Sequence, residues 1–375
     1  MYSNINKEIC NNINYKQIKH GKYIFDISNV NYYKNPLMNG FKLSSYDVST
    51  TEIEDKLEDL RNASSLQRII RKEIKPILKA GLKYNELMNY IQDRANELCS
   101  THINSGLGYP VGISVNNVMA HDSSYNGDKR TFKNGDIVKL DFGIHMNGNI
   151  IDTAKTYIIG DDTKSSIYQP LLDATQDATY TCIKNCRVDM RLYSLSEIIS
   201  EIITSYEITF KNGTTQPVKP VLTLGGHNIL PYRIHGGKLI LSHPSSTQQN
   251  MKIEENDLFA IETFATTGYG LTSYLDNTTH YMLNNLDRLQ QTKYNEILNK
   301  CQIKNNLIKY NTMPFHIDWC CQNKQMKKEL DMLVKLKYIN SYPPVQETNA
   351  LTSQLEHTIF VKNYGVEILT IDDDY

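Results

Sequence analysis

The spacing of apolar residues changes several times along the chain and predicts the order of its elements. Over 51–81 apolar residues recur every three to four positions, as on the buried face of a helix, and Gly81 is the expected stop. Pro76 lies inside that run and is expected to kink the helix, because proline cannot donate a backbone hydrogen bond. Helical spacing returns over 83–99, 165–186 and 192–206.

Strand-like patterns separate and follow these helices. Apolar runs broken by Gly, Asn and Pro occupy 112–159 and 217–282, and two shorter runs at 354–361 and 367–370 finish the chain. The chain therefore passes twice from helices to strands. This order predicts a duplicated α/β unit rather than a purely helical or purely β protein.

One block does not fit the duplication. Residues 287–340 are charged and helical in pattern, and they stand between two strands. We interpret this block as an insertion. The expected organisation is an N-terminal segment at 1–50 and one domain at 51–375 that carries the insertion within it.

The most informative strand passage is the stretch KLDFGIHMNGNIIDTA. Asn147-Gly148 is a strong two-residue hairpin signal, and a turn there pairs Asp141 with Ala154. Because side chains alternate between the faces of a strand, Asp141 and Asp152 then lie on one face as diagonal neighbours. A four-residue loop would keep this register, whereas a three-residue loop would break it.

These two aspartates have two interpretations. They could lie on a solvated hairpin face, or they could bind a common cation in the interior. Their apolar neighbours favour the interior, where a charge is costly unless a partner compensates it. The apolar neighbours are Leu140, Phe142, Ile144, Ile150, Ile151 and Ala154.

Further polar residues stand in equally apolar surroundings downstream. His227 and His235 lie in LTLGGHNILPYRIHGGK, Glu262 lies in LFAIETFATTG, and Glu356 lies in TSQLEHTIFV. A lone histidine in such a place is more often a satisfied core residue than a ligand, whereas a glutamate inside an apolar strand is rare. Four carboxylates and one histidine are best explained together, by two divalent cations such as manganese, iron, cobalt or zinc.

Composition narrows the classes of function. The 40 basic and 41 acidic residues give a net charge of −1, whereas a dedicated nucleic-acid binder usually carries a basic excess. No apolar run reaches the roughly 18 residues of a membrane span, and the N-terminus has no recognisable secretory signal. The seven cysteines are an odd number and lack CxxC or CxxH zinc spacing, so we expect reduced thiols in a reducing compartment. With no targeting signal recognised, the expected compartment is the cytoplasm.

The motifs together resemble those of the type II methionine aminopeptidases, which have the pita-bread fold. The matching stretches are YPVGISVNNVMAH, KLDFGIHMNGNIIDTA, GGHNILPYRIHGGK, FAIETFATTG, YPPV and SQLEHTIFV, in the family's order. The resemblance implies an α/β (α+β) fold, with a pseudo-symmetric antiparallel sheet backed by helices and a helical, winged-helix-like insertion. It also implies removal of the initiator methionine when the second residue is small.

The resemblance gives the candidate ligands separate roles. It implies that two divalent ions, of manganese, cobalt, iron or zinc, are held by Asp141, Asp152, His227, Glu262 and Glu356. Asp152 and Glu356 would bridge the two ions. Asp141 would chelate one ion, whereas His227 and Glu262 would hold the other.

Catalysis and substrate binding fall to further residues by the same resemblance. Glu262 would accept a proton from the attacking water, His121 would shuttle a proton near the leaving nitrogen, and His235 would hydrogen-bond the substrate carbonyl. Without the resemblance, His121 would be interpreted as a loop residue. The substrate methionine would occupy a pocket with the walls Tyr109, Ile234, His280 and Tyr342.

Two rival functions share this fold. A proline dipeptidase has the same five ligands, and a non-catalytic relative could bind RNA or ribosomes. The methionine aminopeptidase motifs argue against the first rival, and the intact ligand set argues against the second. The expected partners are nascent polypeptide N-termini, with proximity to the ribosome, and neither a membrane nor a specific nucleic acid. The expected state is a monomer.

Overall fold

A computed structural model of the chain describes residues 50–160, 163–310 and 312–373. The N-terminal segment expected at 1–50 lies outside these ranges, except for its last residue. Within the described ranges no helix combines the length and the apolar character needed to cross a bilayer.

The helices of the domain lie close to their predicted positions and differ mainly at their ends. The first helix ends at Ile74, so Pro76 does not kink it and lies instead in the turn that follows. The reason is that the proline ring lacks an N–H and clashes with the preceding helical turn. The helices are α1 (Thr50–Ile74), α2 (Tyr84–Cys99), α3 (Thr163–Asn185) and α4 (Leu192–Thr204).

A nine-stranded sheet, antiparallel throughout, forms the centre of the domain. Its members are β2 (Gly112–Val115), β4 (Ile137–Asp141), β7 (Ala154–Ile158), β10 (Lys219–Pro220), β11 (Gly225–Asn228), β12 (Leu239–Leu241), β13 (Leu258–Thr266), β19 (Thr352–Lys362) and β20 (Gly365–Ile368). Seven strands follow the order β12-β11-β13-β19-β7-β4-β2. The last long strand, β19, thus joins the strands of the first half to those of the second.

Smaller sheets flank the central one. One contains β1 (Ser105–Leu107), β5 (Ile144–Met146) and β6 (Asn149–Ile150). Another contains β3 (Val118–Ala120), β14 (Ser273–Tyr274) and β18 (Val345–Gln346). A two-stranded ribbon pairs β8 (Glu207–Thr209) with β9 (Thr215–Pro217).

The hairpin with the two aspartates has the predicted register. Asp141 pairs with Ala154, and the turn residues Asn147 and Gly148 have φ values of 52° and 82°, as a type I′ turn requires. The hairpin is not one continuous ladder, however, because β4 and β7 belong to the central sheet whereas its tip, β5 and β6, belongs to another. The break leaves Asp152 just outside the regular strand.

Two apolar cores lie on opposite faces of the central sheet. Leu258 and Ala260 of β13 pack with α1 and α2, whereas Phe259 and Ile261 pack with α3 and α4. Glu262 continues the first series, because side chains two positions apart share a face. Its carboxyl group therefore lies on the side of the sheet away from α3 and α4.

Residues between β15 (His280–Leu283) and β17 (Ile339–Tyr342) contain four helices and one short strand. The helices are α5 (Arg288–Leu298), α6 (Lys304–Tyr310), α7 (Ile317–Cys320) and α8 (Lys324–Lys335), and the strand is β16 (Phe315–His316). The strand and its neighbours form a sheet in the order β16-β15-β17. This region has an apolar core of its own, which includes Tyr281 and Ile339.

Candidate metal centre

Two glutamates face each other across the longest strand pair of the central sheet. Glu262 of β13 is directly opposite Glu356 of β19, and residues paired in this way have neighbouring side chains. Glu356 is only 1% exposed. Two neighbouring carboxylates away from water repel each other strongly, so the pair requires protons or cations to compensate its charge.

Asp152 is fixed by threonine hydroxyls rather than by a regular strand ladder. The Asp152 N–H donates to Thr358 Oγ1 at 2.7 Å, and that hydroxyl donates to the Asp152 carbonyl at 2.6 Å. The Thr153 hydroxyl donates to the Glu356 carbonyl at 3.0 Å. These bonds join the segment before β7 to β19, so they fix the backbone of Asp152 relative to that of Glu356.

The five sequence-predicted ligands come together in two overlapping groups. The ligand atoms of Asp152, His227 and Glu356 lie within 4.8 Å of one another, and so do those of Asp141, Glu262 and Glu356. Glu356 belongs to both groups, which suits a bridging ligand. Asp152 belongs only to the first, and Glu262 lies with Asp141 rather than with His227.

The donor atoms of this site fit divalent cations. Asp141 Oδ1 and Glu356 Oε2 are buried and have no hydrogen-bond partner, and His227 Nε2 lies 3.4 Å from Asp152 Oδ2. Buried polar atoms in proteins nearly always have one. Carboxylate oxygens with one imidazole form a donor set that manganese, iron, cobalt and zinc all accept. The unpartnered atoms and the chemistry of the donors therefore both indicate a site for divalent cations.

Burial and mutual repulsion shift the protonation of the carboxyl groups. Burial, followed by the charge of Asp152, raises the pKa of Asp141 to about 8. The pKa values of Glu262 and Glu356 rise well above their ordinary range, first through burial and then through the neighbouring carboxylates. The metal-free site therefore retains protons near neutral pH, and cations must displace them to bind.

We expect the metal-free protein to lose stability as the pH rises from about 6.5 to 8. A carboxyl group whose pKa is raised by folding stabilises the fold at low pH, and this contribution is lost as the pH rises to the folded value, about 8 for Asp141. Burial lowers the pKa of His121 to about 4. Its opposite effect is complete above the ordinary histidine value of about 6.5. The buried Lys139 amine, whose pKa burial lowers well below its ordinary range, also opposes the loss, but three carboxyl groups outweigh one amine.

Urea unfolding of metal-stripped protein at the two pH values measures this difference. The free energy of unfolding should be lower at pH 8, and saturating Mn²⁺ should remove the loss, because bound cations replace the protons. A free energy that instead rises over this interval would contradict the burial of ionisable carboxyl groups in the site.

His121 follows β3 in an uncommon backbone conformation. Its φ of 63° lies in the left-handed region, which costs energy for a residue other than glycine. Its imidazole hydrogen-bonds the Pro343 carbonyl, and its centroid lies 5.7 Å from the ring of Tyr342 and 6.0 Å from that of His280. His121 belongs to neither ligand group. Because this backbone strain is retained beside the candidate metal centre, we infer that the site requires the His121 imidazole at this position.

His235 reaches the site through a reversal of the chain. After β11 the chain reverses in a tight turn, where Leu230 and Arg233 exchange backbone hydrogen bonds of 2.9 Å. The returning segment brings the His235 ring to 4.4 Å from that of His227, at an angle of 85°. The two histidines are therefore neighbours across a turn and not along one unbroken strand, because Pro231 cannot continue a central ladder.

Of the four residues predicted to line a methionine pocket, three lie beside these histidines, and Tyr109 lies beside the hairpin of Asp141 and Asp152. His280 and Tyr342 are direct partners across β15 and β17. Ile234 is 4% exposed and precedes His235 in the returning segment. The ring of Tyr109 lies against Gly143, where an added Cβ would stand 2.8 Å from Tyr109 Cε1. The same Cβ would stand closer still to the Ile151 carbonyl oxygen, so a larger residue than glycine would displace the backbone of Ile151 as well as the Tyr109 ring.

Gln354 is a polar residue of the site that the sequence patterns did not predict. Gln354 stands two residues before Glu356 on β19, and its Nε2 donates to Glu262 Oε1 at 2.5 Å and to Asp141 Oδ2 at 3.4 Å. The signal was available, because residues two apart in a strand share a face and Glu356 was already a candidate ligand.

The chain is similar in sequence to a known family of enzymes. Residues 58–303 match Peptidase_M24, metallopeptidase family M24. The chain belongs to metallopeptidase family M24. Such a family implies the use of divalent metal ions, in agreement with the cluster of carboxylates and histidine described above.

Curated relatives refine the position of the chain within M24. It is 33% identical to Methionine aminopeptidase 2 of Candida dubliniensis over 351 residues, which cover 90% of this chain and 75% of the relative. It is 34% identical to Methionine aminopeptidase 2 of Kluyveromyces lactis over 348 residues, which cover 88% and 79%. These M24 relatives place the chain with the type II methionine aminopeptidases, as the motifs predicted.

Solved structures confirm the pita-bread fold of this M24 chain. A thermophilic Arx1 superposes with a TM-score of 0.70 over 86% of this chain and 92% of its own, at 14% identity. Methionine aminopeptidase from Rickettsia prowazekii superposes with a TM-score of 0.56 over 85% and 98%, at 19% identity. At these identities the likeness concerns the fold alone.

Proposed function

We propose that this chain removes the initiator methionine from polypeptides whose second residue is small. The observation that carries the proposal is the convergence of four carboxylates and one histidine in two overlapping groups with unpartnered donor atoms. The M24 membership and the relatives named Methionine aminopeptidase 2 support the same reaction.

Two divalent ions, of manganese, cobalt, iron or zinc, occupy the site in this proposal. The five residues that hold them are Asp141, Asp152, His227, Glu262 and Glu356. When bound, such ions supply Lewis acidity toward the scissile carbonyl and an activated water at neutral pH. The chain itself supplies the positions of its donors, the proton transfers and the exclusion of competing substrates.

Proton transfers fall to groups that line the site. The Glu262 carboxylate accepts a proton from the attacking water. His121, whose pKa burial lowers to about 4, is neutral at physiological pH and so has an imidazole nitrogen free to carry a proton near the leaving amine. His235 donates a hydrogen bond to the substrate carbonyl, which fixes the carbonyl for attack.

The methionine side chain enters the pocket walled by Tyr109, Ile234, His280 and Tyr342. Burial lowers the pKa of His280 well below its ordinary range, so this wall is uncharged at neutral pH. A pocket of aromatic, aliphatic and uncharged imidazole groups favours an unbranched thioether over a charged or proline-like residue.

Mass spectrometry of short peptides tests the proposed function. Metal-loaded protein should release methionine from Met-Gly and Met-Ala peptides and leave Met-Leu peptides largely intact. Cleavage of Xaa-Pro dipeptides in preference would favour a proline dipeptidase. The absence of any hydrolysis by metal-loaded protein would favour a non-catalytic relative.

The cellular setting is part of the same proposal. The substrates are nascent N-termini, so the protein acts in the cytoplasm, close to the ribosome where these N-termini emerge. It acts there as a monomer. The six described cysteines are free thiols, which is compatible with a reducing compartment.

Residues 287–340 act as an insertion that walls one side of the cleft in this proposal. The Asp318 carboxylate accepts a hydrogen bond from the Asn126 N–H at 2.7 Å, so the insertion contacts the loop that follows His121. Moreover, β15 and β17 contribute His280 and Tyr342 and enclose the insertion between them.

Removing the insertion should therefore lower kcat/KM without loss of metal. Leu283 and Ile339 are already paired, so an Asn-Gly turn can join them, with Tyr281→Thr to avoid exposing an apolar ring. Metal content should stay at two ions, while kcat/KM for Met-Ala peptides should fall at least about tenfold, because both pocket strands lose support. An unchanged kcat/KM would show that the insertion serves another purpose.

A further inference from the structure

The amide of Gln354 lies between two of the predicted metal ligands. Its Nε2 donates to Glu262 Oε1 at 2.5 Å and to Asp141 Oδ2 at 3.4 Å. The amide nitrogen therefore faces the two acids, which suits their metal-bound state, because an ionised carboxylate only accepts hydrogen bonds. One neutral group thus contacts one carboxylate from each half of the sheet.

The position of this amide is set by regular structure. Gln354 is 1% exposed and lies on β19, on the same face as Glu356. Its backbone N–H donates to Thr156 Oγ1 at 2.8 Å, and the same hydroxyl donates to the Gln354 carbonyl at 2.8 Å. These two bonds anchor the backbone of Gln354 to β7, so the amide projects from a fixed strand and not from a loop.

The remaining amide atom shows that this arrangement has a cost. Gln354 Oε1 is buried and has no hydrogen-bond partner. A buried polar atom without a partner destabilises a fold, and an apolar side chain of similar shape would avoid that loss. A polar residue at this position therefore requires an explanation in the site itself.

A neutral donor suits this position better than a charged one. A carboxylate would add to the repulsion among the acids, and a lysine would compete with cations for them. An amide instead orients two carboxylates while leaving their charge available. With Asp141 Oδ2 engaged by the amide, Asp141 Oδ1 stays unpartnered and free to bind a cation.

We propose that Gln354 is a positioning residue of the metal centre, which fixes the separation of Asp141 and Glu262. This inference rests on the proposed function, because it concerns the residues that would hold the two ions. Groups that orient metal ligands by hydrogen bonding commonly change metal affinity by about 10–100-fold when replaced.

Replacing Gln354 with Met tests the inference, since methionine keeps the shape and removes the donor. Metal-stripped protein is titrated with Mn²⁺ by calorimetry and with Co²⁺ by visible absorption, which reports the geometry of the bound ion. Gln354→Met should weaken binding about 10–100-fold and alter the Co²⁺ spectrum.

A matched control separates this effect from a general loss of stability. Gln248 is also fully buried, and its Nε2 donates to Ser196 Oγ at 2.8 Å and to the Leu239 carbonyl at 2.9 Å. Gln248→Met should therefore lower the thermal midpoint, yet leave the Mn²⁺ affinity and the Co²⁺ spectrum at wild-type values.

A second variant tests whether the amide must reach both carboxylates or need only be a polar group. Gln354→Asn keeps an amide but is one methylene shorter, so it cannot reach both carboxylates and should weaken binding as Met does. Wild-type affinity in either Gln354 variant would overturn the inference. Wild-type protein that binds no divalent ion at all would overturn the proposed function instead, so the two failures are distinguishable.

Discussion

Glu356→Gln should remove both metal ions and abolish peptide hydrolysis. Glu356 is the one residue common to the two ligand groups, and its Oε2 is buried without a partner. The amide has the same shape but a neutral oxygen, which binds divalent cations weakly. We expect metal affinity to fall by more than about 100-fold, beyond the loss typical of residues that only orient ligands.

The same substitution should make the metal-free protein more stable at pH 8. Burial and the neighbouring carboxylates raise the pKa of Glu356 well above its usual range, so its ionised form opposes folding. A neutral amide removes that repulsion. Metal content by elemental analysis, turnover, and the thermal midpoint of metal-stripped protein should be measured on one preparation.

Glu347 provides the matched control, because it is a buried glutamate outside both ligand groups. It accepts hydrogen bonds from Thr266 Oγ1 at 2.8 Å, from the Tyr269 N–H at 2.5 Å and from the Gly270 N–H at 3.2 Å. Glu347→Gln should therefore lower the thermal midpoint and keep both ions. If Glu356→Gln also kept both ions, the assignment of Glu356 as a shared ligand would be wrong.

Local signals were sufficient to predict the register of the aspartate hairpin. The Asn147-Gly148 turn fixes which residues pair, and alternation of side chains then fixes the face of Asp141. The same rule applied to β19 would have found Gln354 from Glu356. Each of these features depends only on residues within about a dozen positions of one another, so their spacing in the sequence is enough to predict it.

Features that depend on distant segments could not be predicted in this way. The bonds from Thr153 and Thr358 join residues some 200 positions apart in the sequence, and no local pattern marks which threonines are partners. His235 is a different case, because its approach to His227 depends on a local turn between Leu230 and Arg233, which Pro231 favours. Long-range pairing set only the positions that the threonine bonds hold.

His121→Asn should lower turnover by about a hundred- to ten-thousand-fold while both ions stay bound. The range is that expected for loss of a general acid–base group. Asparagine is chosen because it tolerates the left-handed backbone found at this position, where φ is 63°. The loop should therefore keep its path, and only the imidazole is lost. kcat and kcat/KM should fall together, as for an interaction made in the transition state.

The competing explanation is that His121 serves only the shape of its loop. In that case Asn and Gly, which both accept a positive φ, would retain near-normal turnover in folded protein. His121→Gly is therefore the control that relieves backbone strain without supplying a proton carrier. Since His121 lies in neither ligand group, metal content should be unchanged in both variants. Near-normal turnover in folded, metal-loaded His121→Asn would end the proposed role, whereas low turnover in both variants with two ions bound would assign the loss to the imidazole.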